Sequence, residues 1–146
     1  MEREVIQSVG FRNIVEDGEV KGFQLKVRLP YYRGIFLSQI RPGTLDVDGE
    51  KFSKDEVMWE FDGEEYTAEE MTTDFKKHWA TTKPATLKVY KAGGLSQGFH
   101  DITYGFCFTS SYMPPIIQDN LDPDAEAMVF MAEFGHHVNS RRLLIV

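Results

Sequence analysis

Three Asp-Gly dipeptides, Asp17-Gly18, Asp48-Gly49 and Asp62-Gly63, constrain this chain more than any other feature. A two-residue turn between antiparallel strands needs positive φ at both central residues, which Asp tolerates and Gly adopts freely. Each dipeptide lies between runs that alternate polar and apolar residues. Residues 5–16, with Phe11, Ile14 and Val15 as apolar points, read as an edge strand or two short strands. The first turn leads them into a strand over residues 23–29. Thr44-Leu45-Asp46-Val47 and Lys51-Phe52-Ser53 flank the second turn. Residues 55–61 feed the third with Val57, Trp59 and Phe61 on one face, and Glu65-Tyr66 leaves it. Period-two spacing bounded by such turns predicts antiparallel hairpins.

One helix interrupts the strands. Thr67-Ala68-Glu69-Glu70 is a capping box, the Thr side chain and the Glu three residues later each bonding a free backbone N–H. Met71, Phe75 and Trp79 follow at spacing four, which predicts one or two turns or more from Ala68 toward His78. Residues 35–40 read as a short strand closed by Pro42-Gly43. Residues 85–91 alternate and form a strand. Gly93-Gly94-Leu95-Ser96-Gln97-Gly98 reads as a hairpin turn, with residues 99–111 a long aromatic strand pairing back on residues 85–91. Residues 115–127 read as a polar loop, residues 128–134 as a strand, and Arg142-Leu143-Leu144-Ile145-Val146 as a closing strand. The expected fold is all-β, an antiparallel β-sandwich with one short helix, as one domain over residues 1–146 with no repeat or linker.

Composition removes several function classes. The net charge of −7 opposes phosphate-driven binding to nucleic acid and attraction to an anionic membrane. No run approaches the roughly 20 apolar residues of a membrane span. The start, Met1-Glu2-Arg3-Glu4, has no apolar signal-peptide core behind it, so the expected location is cytoplasmic. The single cysteine, Cys107, allows no intrachain disulfide and no cysteine zinc cluster, and its aromatic neighbours predict a buried thiol. The adjacent His136-His137 pair points to opposite faces of a strand, as do His100 and Asp101. Neither His-x-His nor His-Glu-x-x-His occurs. Gly93-Gly94 with Gly98 lacks the Lys-Ser/Thr and the following helix of a phosphate loop. Asp17, Asp48 and Asp62 are explained by turn chemistry, and Gly-x-Ser-x-Gly is absent.

Surface chemistry remains. In Arg28-Leu29-Pro30-Tyr31-Tyr32-Arg33-Gly34-Ile35-Phe36-Leu37 a proline ends an alternating strand. Two tyrosines, an arginine and a glycine follow. Tyr and Arg are enriched where binding energy concentrates, and Gly permits a turn or close approach of another chain. A second segment, Ser110-Ser111-Tyr112-Met113-Pro114-Pro115, has similar character. Either these residues are connections whose rings serve the core, or they form a contact surface. Meeting in space, they make a proline-stiffened aromatic patch suited to a partner or a stacked ligand.

Together these residues resemble the small (β) subunit of bacterial C-glycoside deglycosidases. The resemblance is carried by Gly22-Phe23-Gln24, Arg28 to Gly34, Leu37-Ser38, Val47-Asp48-Gly49 and Trp79. It continues through Gly93-Gly94-Leu95 with Gly98 and His100, and Ser111-Tyr112-Met113-Pro114. It runs over about residues 10–114; the acidic segment 118–126 and His136-His137 fall outside the pattern. It implies a β-sandwich subunit of a heteromeric carbon–carbon lyase, whose large (α) subunit resembles a sugar isomerase barrel and holds a divalent metal, commonly manganese. The implied substrate is an aromatic C-glycoside already oxidised to the 3-keto sugar. Its keto group acidifies the C2 proton, a base removes that proton, the metal stabilises the enediolate, and the bond to the aglycone breaks by elimination. This chain is then expected to hold no cofactor and no catalytic residue. Tyr31, Tyr32, Arg33, Tyr112, Met113 and Pro114 are expected at the partner interface or the pocket mouth. The alternatives are a stand-alone carbohydrate- or polyphenol-binding β-sandwich, and a self-sufficient lyase or isomerase with a non-local His/Asp metal site.

Overall fold

The computed structural model describes residues 5–109 and 137–146. In chain order the strands are β1 (Arg12–Glu16), β2 (Glu19–Val27), β3 (Ile35–Phe36), β4 (Ile40–Val47), β5 (Glu50–Phe52), β6 (Met58–Phe61) and β7 (Glu64–Tyr66). After the helix α1 (Ala68–Thr72) come β8 (His78–Trp79), β9 (Ala85–Val89), β10 (Gly98–Phe108) and β11 (His137–Ile145). They form a five-stranded sheet in the order β1-β2-β9-β6-β7, a four-stranded sheet β11-β10-β4-β5, and a two-stranded clip β3-β8. Every pairing is antiparallel. The expected all-β architecture is observed.

All three Asp-Gly dipeptides make the expected hairpins. Asp17 and Gly18 have φ of 52° and 77°, Asp48 and Gly49 of 53° and 88°, and Asp62 and Gly63 of 52° and 87°. Positive φ at both positions is the turn whose twist matches that of the flanking strands. Alternation then sends one face of each strand inward: Phe23, Leu25 and Val27 from β2, Leu87 and Val89 from β9, Trp59 and Phe61 from β6. Across from them lie Leu45 and Val47 of β4 and Ile102, Tyr104 and Phe106 of β10, in one continuous core. Ring pairs span the two large sheets, Phe23–Phe52 with centroids 5.5 Å apart and Trp59–Phe106 at 5.8 Å. Trp79 fills the remaining space from β8, 5.6 Å from Phe106, and its Nε1 donates to the Lys83 carbonyl at 2.8 Å. Cys107 is buried, as expected.

Several local expectations are corrected. β10 does not pair with β9: it lies between β11 and β4, whereas β9 lies between β2 and β6. Both strands carry an apolar inner face, and the fold opposes those faces across the core instead of aligning them in one sheet. The glycine-rich segment 93–98 is therefore a connection between sheets, not a hairpin turn. The strand expected over residues 35–40 is only Ile35–Phe36, followed by a 3-10 turn Leu37–Gln39. Pro42 and Gly43 lie inside β4 instead of ending a strand. The register admits them because Leu45 pairs with Tyr104 and Pro42 with Phe106, an irregularity of the kind that relieves a missing ladder donor.

The capping box forms, Thr67 Oγ1 accepting from the Glu70 N–H and Glu70 Oε1 from the Thr67 N–H, both at 3.0 Å. The helix nevertheless stops at Thr72. Asp74 Oδ1 accepts from the Lys76 and Lys77 amides and turns the chain, so Phe75 is exposed and Trp79 arrives on a strand. The strand expected from residue 55 begins at Met58, after a 3-10 turn Lys54–Glu56. The closing strand is longer than residues 142–146 and begins at His137. The expected polar loop and strand over residues 115–134, the acidic segment 118–126 and His136 lie outside the described residues.

Candidate functional site

The Tyr-Tyr-Arg stretch is split between the core and the surface. Tyr31 faces inward, buried, its ring 4.9 Å from that of Phe108 and 4.4 Å from that of Tyr32. Tyr32 is 69% exposed, with the Arg33 guanidinium 5.6 Å from its ring centroid. A cation over an aromatic face is attracted by the ring quadrupole. Burial raises the Tyr31 phenol above its ordinary pKa; its neighbour Tyr32 adds to the rise and Arg33 opposes it. Tyr31 thus stays a neutral phenol through the physiological range.

Gly34 explains how the stretch is held. A Cβ there would lie 2.1 Å from His78 Cε1 and 2.6 Å from the Trp79 carbonyl oxygen, so only glycine lets β3 reach β8. The approaching segment belongs to this chain. Around it the Leu37 N–H donates to the Lys77 carbonyl at 3.1 Å and the Ser38 N–H to the Asp74 carbonyl at 2.9 Å. Gln39 ties the turn from both sides: its Oε1 accepts from the Phe36 N–H at 2.8 Å, and its Nε2 donates to the Thr109 carbonyl at 2.7 Å. The Phe36 ring meets His78 edge-on at 5.4 Å.

Beside this braced segment lies a cavity of about 620 Å³, whose described lining includes Tyr31, Arg33, Phe36, Arg41, Phe75 and Thr109. Arg41 Nη1 donates to the carbonyls of Ser38 at 2.8 Å and Ile40 at 3.1 Å, which fixes its plane. Of the expected site residues, the structure places Tyr31 and Arg33 in the cavity wall and Tyr32 beside them. Tyr112, Met113 and Pro114 lie outside the described residues. Thr109, the last described residue before them, stands in the same wall as Tyr31 and Arg33. Phe36, Arg41 and Phe75 were not singled out in the sequence. Arg41 directly precedes Pro42, where the strand was expected to close, and Phe75 sits in what read as a helix face.

A second polar constellation joins residues that the sequence kept apart. His100 is buried, with Nδ1 2.5 Å from Asp48 Oδ2 and Nε2 2.7 Å from the Ser96 carbonyl oxygen. Both partners can only accept, so both ring nitrogens carry hydrogen and the imidazole is cationic. Burial pulls the His100 pKa down, but the bonds to Ser96 and Asp48 outweigh it and leave the pKa raised above 6.5. Asp48 also accepts from the Asp101 N–H at 2.7 Å, and that bond, then His100, holds its carboxyl below 3.8. Asp48 therefore shapes the β4–β5 turn and ties it to β10. Asp48, Ser96 and His100 are not in the described lining of the cavity.

Among the described residues no three His, Cys, Asp or Glu side chains are grouped to hold a metal. Nor is any described helix long and apolar enough to cross a membrane.

Comparison with known proteins places these observations. A family described as "C-glycoside deglycosidase beta subunit" matches residues 1–112. A protein of Eubacterium cellulosolvens named C-glycoside deglycosidase beta subunit is 73% identical over 147 aligned positions, covering 100% of each chain. A protein of the same name from Microbacterium trichothecenolyticum is 32% identical over 96 positions, covering 64% of this chain and 68% of its own. The segment left outside the resemblance thus also lies outside the family match, yet inside the full-length similarity to the Eubacterium protein.

Proposed function

The chain belongs to the C-glycoside deglycosidase beta-subunit family, and from that premise we propose that it is the non-catalytic subunit of a cytoplasmic carbon–carbon lyase acting on 3-oxo C-glycosides. Its partner in this reading is a large subunit with a sugar-isomerase-like barrel. The divalent metal, manganese in this reading, belongs to that barrel, where it would stabilise the enediolate of the oxidised sugar. This chain completes the enzyme by docking. Its own residues position and shield; they transfer no proton in the reaction.

One observation carries this reading. The outward side chains of the Arg28-to-Leu37 stretch are Tyr32, Arg33 and Phe36, and they are presented on a rigid support made by Gly34, Gln39 and the β3–β8 clip. A pre-organised aromatic and an arginine at the surface are the groups that concentrate binding energy. The described residues in turn offer no convergent metal-ligand set of their own.

Co-expression with the large subunit tests the reading. The two chains are expected to co-purify, and the isolated chain to release no aglycone. The double variant Tyr32→Ala/Arg33→Ala is expected to weaken association or raise KM by at least roughly tenfold, as loss of a central Tyr/Arg contact does. Turnover by the isolated chain, or a large subunit that never co-purifies with it, would sink the proposal.

A further inference from the structure

We infer that Phe75 anchors the subunit interface, its ring inserting into an apolar pocket of the large subunit. The inference rests on the reading of this chain as a docking subunit. It adds a second contact and the chemistry of the surface that receives it.

Position is the first argument. Phe75 follows the buried Met71 by four residues, so a helix continuing past Thr72 would stack the two on one face. The helix ends instead, and the Phe75 ring is 70% exposed. A ring held out in water adds little to the core that lies one turn away.

Pre-organisation is the second. Asp74 Oδ1 accepts from the Lys76 N–H at 2.9 Å and the Lys77 N–H at 2.8 Å, which closes the turn across Phe75. The Asp74 N–H donates to the Met71 carbonyl at 3.2 Å, and the Asp74 carbonyl accepts from the Ser38 N–H at 2.9 Å. Lys77 Nζ pairs with Asp62 Oδ2 at 2.9 Å. The backbone on both sides of the ring is thus fixed before association, and little freedom is left to lose on binding.

Continuity is the third. The Leu37 and Ser38 amides bond to the Lys77 and Asp74 carbonyls, joining this turn to the segment that carries Tyr32 and Phe36. Phe36, 43% exposed, and Phe75 line one hollow, and the exposed Tyr32 lies against Tyr31 in its wall. Single exposed apolar side chains are ordinary on a surface, but three rings held around one hollow form a patch that suits association. Phe99 and Leu144 are exposed too, yet they face each other across β10 and β11, and such cross-strand pairs stabilise their own sheet. Phe75 stands on a turn, outside every strand. The patch continues from Tyr32-Arg33, which the docking reading gives to the large subunit, so the same partner covers it. An outward ring requires a concave acceptor, here one of aliphatic or aromatic side chains.

The experiment measures the Kd between the full chain and the purified large subunit, for wild type, Phe75→Ala, Phe75→Leu, Phe75→Gln and Phe99→Ala. Phe75→Ala and Phe75→Gln are expected to weaken binding at least roughly tenfold with an unchanged Tm, whereas Phe75→Leu keeps most of the affinity and Phe99→Ala all of it. The heat-capacity change of association should be negative for wild type and smaller for Phe75→Ala. If Phe75→Ala binds as tightly as wild type, the inference is overturned, while the docking reading survives on a weakened Tyr32→Ala/Arg33→Ala. Should wild type itself fail to bind, both fall. Three further results also overturn the inference: Phe75→Gln binding like Phe75→Leu, a KM raised at unchanged Kd, which gives the ring to the substrate, or an isolated wild-type dimer that Phe75→Ala dissociates, which gives it to a second copy. Where Phe75→Ala lowers the Tm, the contrast between Phe75→Leu and Phe75→Gln at equal Tm decides the matter.

Discussion

At the scale of single residues, His100 shows how a turn residue gains a second role. Asp48 needs positive φ for its hairpin, and its carboxylate then reaches a buried imidazolium 52 positions away. The charged groups facing that ring are Asp48 and Asp101, the latter paired with Arg142 at 2.8 Å. The folded His100 pKa lies above 6.5, so folding favours the protonated form. Its contribution is fully present below 6.5 and is lost as pH rises through the folded value. Asp48 works in the opposite direction, contributing above 3.8 and losing its part as pH falls through its depressed folded value. The urea midpoint of wild type is therefore expected to decline on the alkaline side of 6.5. His100→Gln should flatten that decline, and equal pH profiles for the two proteins would contradict the clamp. The sequence shows Asp48-Gly49 as a turn because positive φ is local chemistry. It cannot show the His100 partner, because β4–β10 register decides that. The same distinction separates Tyr31 from Tyr32: two adjacent tyrosines must point to different environments, but only the position of Phe108 says which one is inside.

At the scale of elements, α1 has five residues, too few to persist on its own. It survives because its reciprocal cap satisfies two terminal donors and because Ala68 and Met71 are buried. The capping box was legible, since it is read from four consecutive residues. The helix end was not: Met71, Phe75 and Trp79 keep helical spacing, yet the Asp74 side chain bonds two following amides and turns the chain away. That early stop has a consequence for the candidate site, because it leaves Phe75 on the cavity wall and delivers Trp79 to β8. Thr67→Ala is expected to cost about 1 kcal/mol of stability, the usual loss of a helix cap. Its effect on association should be larger than on the core, since the support of Phe75 frays first. A Tm shift with no change in subunit affinity would show that α1 holds the fold and not the face.

At the scale of the whole molecule, the sandwich has to hold two sheets whose strands never pair with one another. The aromatic core does most of this, and part of it was foreseeable from alternation alone: Val57, Trp59 and Phe61, read on one face, all point inward. The order of the strands was not foreseeable, because β9 and β10 carry the same pattern and only packing puts them on opposite sides. The remaining join lies near the chain's start. The Gln7 N–H donates to the Lys26 carbonyl at 2.9 Å and the Arg28 N–H to the Val5 carbonyl at 2.8 Å, which lays residues 5–7 along β2. The same short segment reaches the other sheet through side chains: Asn139 Oδ1 accepts from the Ile6 N–H, and Arg141 Nη1 donates to the Ile6 carbonyl, both at 2.9 Å. Ile6 is fully buried, so its N–H has no ready substitute in water. Residues 5–7 thus strap the two sheets. Asn139→Ala leaves that buried donor without its acceptor and is expected to cost about 1–3 kcal/mol. Asn139→Asp keeps an acceptor in place and should lose much less. Because the strap spans the sheets, the loss should appear equally by far-UV circular dichroism and by tryptophan fluorescence, in a single transition. Separate transitions for the two probes would mean that the strap belongs to one sheet and that the core alone joins them.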